Sequence, residues 1–177
     1  MFSKACEYAI KATIYVASKS LENVRVKIGD IADNSGSPGA FTAKILGALT
    51  KHEIVNSIKG PYGGFEISVD KMKKTKISEI VYAIDGDTIY NGCALGLNKC
   101  NAADPCPMHD KFVTIRNELK QMLETTTVFE LAHQLKSGKS TLIRETLNLN
   151  NQQHGKQRNL VAKLNNSNTT RRQRISD

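Results

Sequence analysis

No stretch of the 177-residue sequence is apolar for long enough to cross a bilayer, which takes about 20 residues. Nor does an apolar run precede a small-residue cleavage site. Met1-Phe2-Ser3-Lys4 leads directly into a mixed polar and apolar segment, so no secretory signal is expected. The expected setting is cytoplasmic, without a membrane partner, where thiols stay reduced. Catalytic signatures are lacking as well. There is no Ser/His/Asp arrangement, no phosphate-binding glycine loop with its lysine and no paired-acid motif, and the 4 histidines are scattered. An enzyme is not expected. Acid is in short supply: 17 Asp and Glu stand against 25 Lys and Arg, a net charge of +8. Such a surplus favours a polyanionic partner, but it is uneven. Lys156, Arg158, Lys163, Arg171, Arg172 and Arg174 face Asp177 alone from Gln152 onward, so 6 − 1 = +5 of the +8 sits in the tail. There is no internal repeat.

Cysteine is scarce too, with 4 in the chain, yet Cys93, Cys100 and Cys106 crowd together with His109 in a loop-like stretch. Disulfides would leave one of the three loop thiols unpaired. A structural zinc ion usually draws two ligands from a tight C-x2-4-C turn. Here the gaps are 6, 5 and 2 residues. Long gaps suit a loop wrapped around something larger than one ion, and an iron–sulfur cluster is the leading reading. Zinc and disulfides are the alternatives.

Hydrophobic period places helices over residues 3–18, about 27–34 and 38 to about 52. In the first, Ala5, Tyr8, Ala9, Ala12, Tyr15 and Val16 make the apolar stripe, and Glu7 and Lys11 stand four apart as a surface pair. Cys6 reads as a small buried hydrophobe. In the second, Ile28, Ile31 and Ala32 face inward. Between the second and third, Gly36 makes a tight turn, Ser37 is placed to cap and Pro38 to start the helix. On the third, Phe41, Ile45, Ala48 and Leu49 form the core face, while Thr42, Lys44 and Lys51 point outward. Two helices around a glycine turn are a helix-turn-helix. Strands over 54–58 and 64–69 then flank the tip Lys59-Gly60-Pro61-Tyr62-Gly63-Gly64. Together these make a winged helix, with Lys59 as a groove or phosphate contact.

A short helix over 76–84 carries Ile77, Ile80, Val81 and Ile84. The cysteine loop comes next, and then a longer helix over about 107–124. Its apolar residues Met108, Phe112, Ile115, Leu119 and Met122 step by four and three, a narrow seam suited to a second copy of the chain. Thr127-Val128-Phe129-Glu130 opens a last helix that buries Leu131, Ala132 and Leu135 and ends at Gly138.

The sequence Glu7-Tyr8-Ala9, Ile31-Ala32, Phe41-Thr42-Ala43-Lys44-Ile45-Leu46, Gly60-Pro61-Tyr62-Gly63-Gly64-Phe65 and then three cysteines resembles the IscR/NsrR-type (Rrf-family) winged-helix iron–sulfur transcriptional regulators over about residues 1–138. The resemblance implies a homodimer on a palindromic double-stranded operator, probing two successive major grooves. It implies a repressor controlled by cluster status, nitric oxide or redox state. By position, Ala40, Ala43 and Lys44 fall where relatives place base contacts, and Lys59 where they place a basic wing residue. Ser37, Thr42, Lys51 and Tyr62 complete the expected DNA face. The resemblance further implies a cluster on Cys93, Cys100 and Cys106. A fourth ligand at His109 would match 2Fe–2S members. One at Glu7, reached across the dimer, would match 4Fe–4S members. His109 is the first choice. Cluster-free regulation through zinc or thiols, and an iron–sulfur electron carrier, are the competing readings.

The expected fold is thus mainly α with a small β wing. A winged helix-turn-helix domain spans 1–90, a cluster loop 91–107 and the dimerisation and terminal helices 108–138. A basic tail spans 139–177, with a helical remnant through Leu147 and disorder over 148–177.

Overall fold

The computed structural model describes residues 2–93, 95–97 and 100–144. The first helix, α1 (Lys4–Ser20), is capped by Ser3, whose hydroxyl accepts the Cys6 amide at 3.1 Å. The same Ser3 is held at Oγ and N by the Asp85 carboxylate, at 2.5 and 3.0 Å. This fixes the start of α1 to the end of α5 (Ile77–Asp85). Cys6, Ala9, Ala12, Thr13, Val16 and Ala17 are buried, so small residues let neighbouring helices approach α1 closely. The expected Glu7–Lys11 pair does not form. Glu7 instead meets Lys4 at 2.6 Å, and Lys11 Nζ lies 6.0 Å above the Tyr8 ring. A carboxylate near the helix start has partners on both sides, and here the i−3 lysine takes it.

Helix α2 (Ile28–Ser35) ends at Gly36, whose φ of 69° closes it in the left-handed conformation. Ile31 and Ala32 are buried as expected, but Ile28, at the first turn, is 37% exposed. Helix α3 (Gly39–Lys51) buries Ile45, Leu46 and Leu49. Pro38 occupies the cap position, one residue earlier than expected, and Ser37 does not cap the helix. After α3, the amides of Ile54 and Val55 return to Leu49 O at 2.9 and 3.4 Å, and both side chains are buried. The chain becomes a strand only afterwards.

Strands β1 (Asn56–Ile58) and β2 (Gly64–Glu66) pair antiparallel, with Ser57 opposite Phe65. Val26 extends this wing at its base, exchanging backbone hydrogen bonds with Phe65 at 3.2 and 2.9 Å. The expected second strand is cut short. Ser68 caps a further helix, α4 (Val69–Lys74), and Met72 is fully buried. The Ser-x-Asp start signals a helix, and the helical period turns Met72 inward where a strand would have ended.

Helix α5 buries Ile77, Ile80 and Val81, and Ile84 is half-buried. A short helix, α6 (Thr88–Asn91), stands where no element was expected. Helix α7 (His109–Thr125) and helix α8 (Val128–Lys136) come after the cysteine loop. Thr127 caps α8 through the Glu130 amide at 3.1 Å, and Gly138 closes it at φ 72°. Val128 N bonds Thr75 O and Ile77 N bonds Thr126 O, at 3.0 and 3.1 Å, so the α7–α8 turn is fastened to the start of α5. Ala132 is buried, while Leu131 and Leu135 are half-buried. Residues 141–144 are not helical. From residue 145 on, the expected tail and the end of the helical remnant lie outside the described residues.

Candidate nucleic-acid interface and thiol cluster

Along α3, Ala40, Ala43, Lys44, Gly47 and Lys51 are all exposed. Their spacing of 3, 1, 3 and 4 lays them on one stripe of the helix, opposite the buried Ile45, Leu46 and Leu49. Of the expected contact residues on α3, Ala40, Ala43, Lys44 and Lys51 share this exposed stripe. Gly47, not among the expected contacts, lies on the same stripe, and the same period marks it.

Two expected contact residues are elsewhere. Thr42 is 1% exposed and Ser37 8%. Their hydroxyls hydrogen-bond each other. Thr42 Oγ1 also donates to Pro38 O at 3.0 Å, and Ser35 Oγ lies 3.1 Å from Ser37 Oγ. A buried hydroxyl needs a partner, and this chain satisfies three of them while locking the turn onto α3. Thr42 faces inward because position 42 lies one turn before Ile45 and Leu46.

The wing tip presents Lys59 and Tyr62 to solvent, Tyr62 at 90% exposure. The tip's glycines have separate reasons. Gly60 has φ 103°, a conformation costly for any other residue. A Cβ on Gly63 would lie 2.1 Å from Ile58 O, and one on Gly64 2.8 Å from Val26 O. Lys27 Nζ donates to Pro61 O at 3.1 Å, and Arg25 pairs with Glu66 at 2.6 Å. The wing is therefore tied to the segment before α2.

The cysteine loop brings its donors together in two pairs. Cys93 Sγ lies 4.0 Å from Cys106 Sγ, and Cys100 Sγ lies 3.2 Å from His109 Nδ1. His109 is the first residue of α7, and its amide bonds Cys106 O at 2.9 Å. Backbone amides of Leu95 and Leu97 hold the Cys93 thiol below its ordinary pKa, with smaller help from Cys106 and the Arg116 charge. Among the described residues, no three or more His, Cys, Asp or Glu side chains converge on one point. Neither pair includes Glu7.

Arg116 joins the start of the loop to its middle. Its Nη1 donates to Gly92 O at 2.6 Å and its Nη2 to Cys100 Sγ at 3.0 Å. The sequence reading missed it. The available signal was its place seven residues after His109, two turns along the same face of α7. The fourth cysteine is of another kind. Cys6 is fully buried, and burial pushes its thiol up to about 12, with the nearby Asp85 charge adding to the effect. Thiolate is the reactive form. Brief iodoacetamide treatment of the native, metal-free protein near neutral pH is expected to alkylate the loop cysteines and spare Cys6. Mass mapping that finds Cys6 modified as fast as Cys93 would refute this.

The family model described as "Iron-dependent Transcriptional regulator", Rrf2, matches residues 2–134. The chain belongs to the Rrf2 family. A putative HTH-type transcriptional regulator of Aquifex aeolicus is 32% identical over 133 residues, covering 74% of this chain and 90% of the relative. The HTH-type transcriptional regulator IscR of Klebsiella pneumoniae is 27% identical over 126 residues, covering 71% and 76%. Among solved structures, CymR, the global cysteine regulator of B. subtilis, superposes with a TM-score of 0.62 at 21% identity, covering 75% of this chain and 96% of CymR. As an Rrf2 protein the chain is a DNA-binding transcriptional regulator and not an enzyme. Its mostly helical fold with one two-stranded wing is the Rrf2 winged-helix fold. No helix among the described residues is long and apolar enough to cross a membrane.

Proposed function

We propose that this Rrf2 protein is a homodimeric repressor of transcription whose operator affinity is set by a 2Fe–2S cluster on Cys93, Cys106, Cys100 and His109. The pairing of those four donors carries the reading. Two ligands on one tetrahedral metal at ~2.3 Å stand ~3.8 Å apart, close to the Cys93–Cys106 separation of 4.0 Å. A single zinc ion would gather four donors at one point. Two pairs suit two irons, each taking two protein ligands. Soft thiolates plus imidazole fit iron, and the amides aimed at Cys93 and the guanidinium on Cys100 suit thiolate charge. When bound, the cluster supplies a group sensitive to redox state and nitric oxide.

The chain's own residues give the site its leverage. Cys93 stands just after α6, which continues from α5 of the winged helix, and His109 opens α7. The loop between them is therefore a link between the DNA reader and the seam of α7. On that seam Met108, Ile115 and Met122 are 37%, 54% and 51% exposed, with Phe112 and Leu119 half-buried. A second copy would cover them, placing two α3 stripes on successive major grooves about 34 Å apart. Lys44 and Lys51 on α3 and Lys59 and Tyr62 on the wing are the proposed DNA contacts, with Ala40 and Ala43 closely apposed to base edges.

Anaerobically purified protein is expected to be coloured, with about two irons and two sulfides per chain. Alanine at Cys93, Cys100 or Cys106 is expected to abolish the absorption, and operator affinity at fixed salt should differ between loaded and stripped protein. Equal affinities would sink the switch, and a colourless protein with stoichiometric zinc would replace the cluster. A second reading has its own support in Cys93 and Cys106. Their sulfurs, at 4.0 Å, need only local movement to reach the ~2.05 Å of a disulfide. A colourless, metal-free protein would favour that thiol switch.

A further inference from the structure

We propose that α3 selects its operator through methyl groups. Ala40 and Ala43 pack against the 5-methyl groups of two thymines on neighbouring base pairs, and Gly47 lets the helix backbone come close to the base edges. This rests on the reading above that the exposed face of α3 meets DNA, and it assigns what that face reads. Segment 35–51 holds 6 polar side chains: Ser35, Ser37, Thr42, Lys44, Thr50 and Lys51. The hydroxyls are all engaged within the protein. Thr42 bonds Ser37 and Pro38 O, Ser35 Oγ lies 3.1 Å from Ser37 Oγ, and Thr50 Oγ1 donates to Leu46 O at 2.7 Å. Ser35, Ser37 and Thr42 are buried as well. The segment has no Asn, Gln, Asp, Glu or Arg. The side chains that pair with adenine or cytosine by hydrogen bonds are therefore missing from it.

Beside its two lysines, the outward face offers methyl groups and bare backbone. Ala40 and Ala43 are exposed, and the thymine methyl is the apolar group on a major-groove base edge. Three residues along a helix rise ~4.5 Å, close to the ~3.4 Å between successive base pairs. Gly47 is an independent sign of a close neighbour. It lies inside α3, where glycine costs stability relative to alanine. A Cβ there would meet nothing within 4 Å among the described residues. Neither a left-handed backbone nor internal packing asks for glycine at this position, whereas close approach of a ligand to the backbone does.

The test starts from a duplex that the protein itself selects from a random pool. Each thymine of one half-site is replaced in turn by deoxyuridine, which removes the 5-methyl group and keeps the base pair. The dissociation constant at fixed salt is expected to rise about fourfold at each of two neighbouring base pairs, the worth of one buried carbon. At one of them the rise should vanish in Ala43→Gly, because that variant has no methyl to meet the base and the two losses do not add. Gly47→Ala should melt at a higher temperature than the parent, yet bind the selected duplex at least about fivefold more weakly, the cost of one carbon forced into a packed contact. A half-site without thymine, or deoxyuridine without effect at every thymine, overturns methyl recognition. Gly47→Ala binding like the parent overturns the close approach. Both results leave α3 on the operator. If Lys44→Gln and Lys51→Gln also bind the selected duplex like the parent, the placement of α3 on DNA fails, and methyl recognition with it.

Discussion

Gly63→Ala is expected to disrupt the wing and weaken operator binding by about tenfold or more, equivalent to ~1.4 kcal/mol or above. The added Cβ would lie 2.1 Å from Ile58 O and 2.7 Å from Lys59 C. Both atoms are backbone, so no side chain can swing away. Ile58 ends β1 and pairs with Gly64, so relief must come from opening the hairpin. Overpacking of this kind costs about 1–3 kcal/mol, and a domain of this size should lose several degrees of melting temperature. The helices should survive, because Ile31, Leu46, Leu49 and Ile80 are buried among helices rather than beneath the tip. Gly47→Ala is the control for stability alone, since Gly47 lies on the exposed stripe of α3. Nothing lies within 4 Å of its Cβ position, and it sits inside α3. Alanine there should raise stability by about 0.5–1 kcal/mol. Circular dichroism melts of both variants, and duplex binding of Gly63→Ala against the parent, check these outcomes. A Gly63→Ala protein that melts and binds like the parent would show that the wing tip is not built as described.

If the loop holds the proposed cluster, Arg116→Met is expected to weaken its retention about 10–100-fold, the usual cost of removing a hydrogen-bond partner behind a ligand. Arg116 never ligates. It ties Cys100 Sγ to Gly92 O, and so holds one thiol of the set against the segment that carries Cys93. Methionine keeps the bulk and removes both bonds. Arg116→Lys, a point charge without the planar fork, should recover part of the loss. Iron release to a chelator, timed by absorbance, measures the effect. The far-ultraviolet spectrum of the stripped protein should not change, because Arg116 lies outside the buried core. Unaltered release kinetics in Arg116→Met would confine the residue to a packing role.

The local features of this protein were legible because local rules produce them. Gly36, the capping hydroxyls and the three-and-four spacing on α3, α5 and α7 act over one or two turns of chain. They gave the helix-turn-helix, the hairpin and the open seam of α7. Where two local rules competed, the reading slipped. Glu7 had lysines at both 4 and 11, and Ser68 stood at the end of one strand pattern and the start of one helix. Thr42 was misjudged because a threonine on a helix reads as polar and outward, whereas the neighbouring turn supplies buried hydroxyl partners.

The sequence by itself determined the type of most elements, the glycine-dependent wing, the clustering of three thiols with an imidazole, and the placement of positive charge in the tail. Each comes from residue type and spacing alone. Only the tertiary structure decided that the thiols and His109 stand as two pairs, that Arg116 reaches back across 16 and 24 residues to Cys100 and Gly92, and that Ile143 returns to Gly36. These are meetings between segments far apart in the chain. They depend on which helix faces bury each other, and no period along a single segment encodes that.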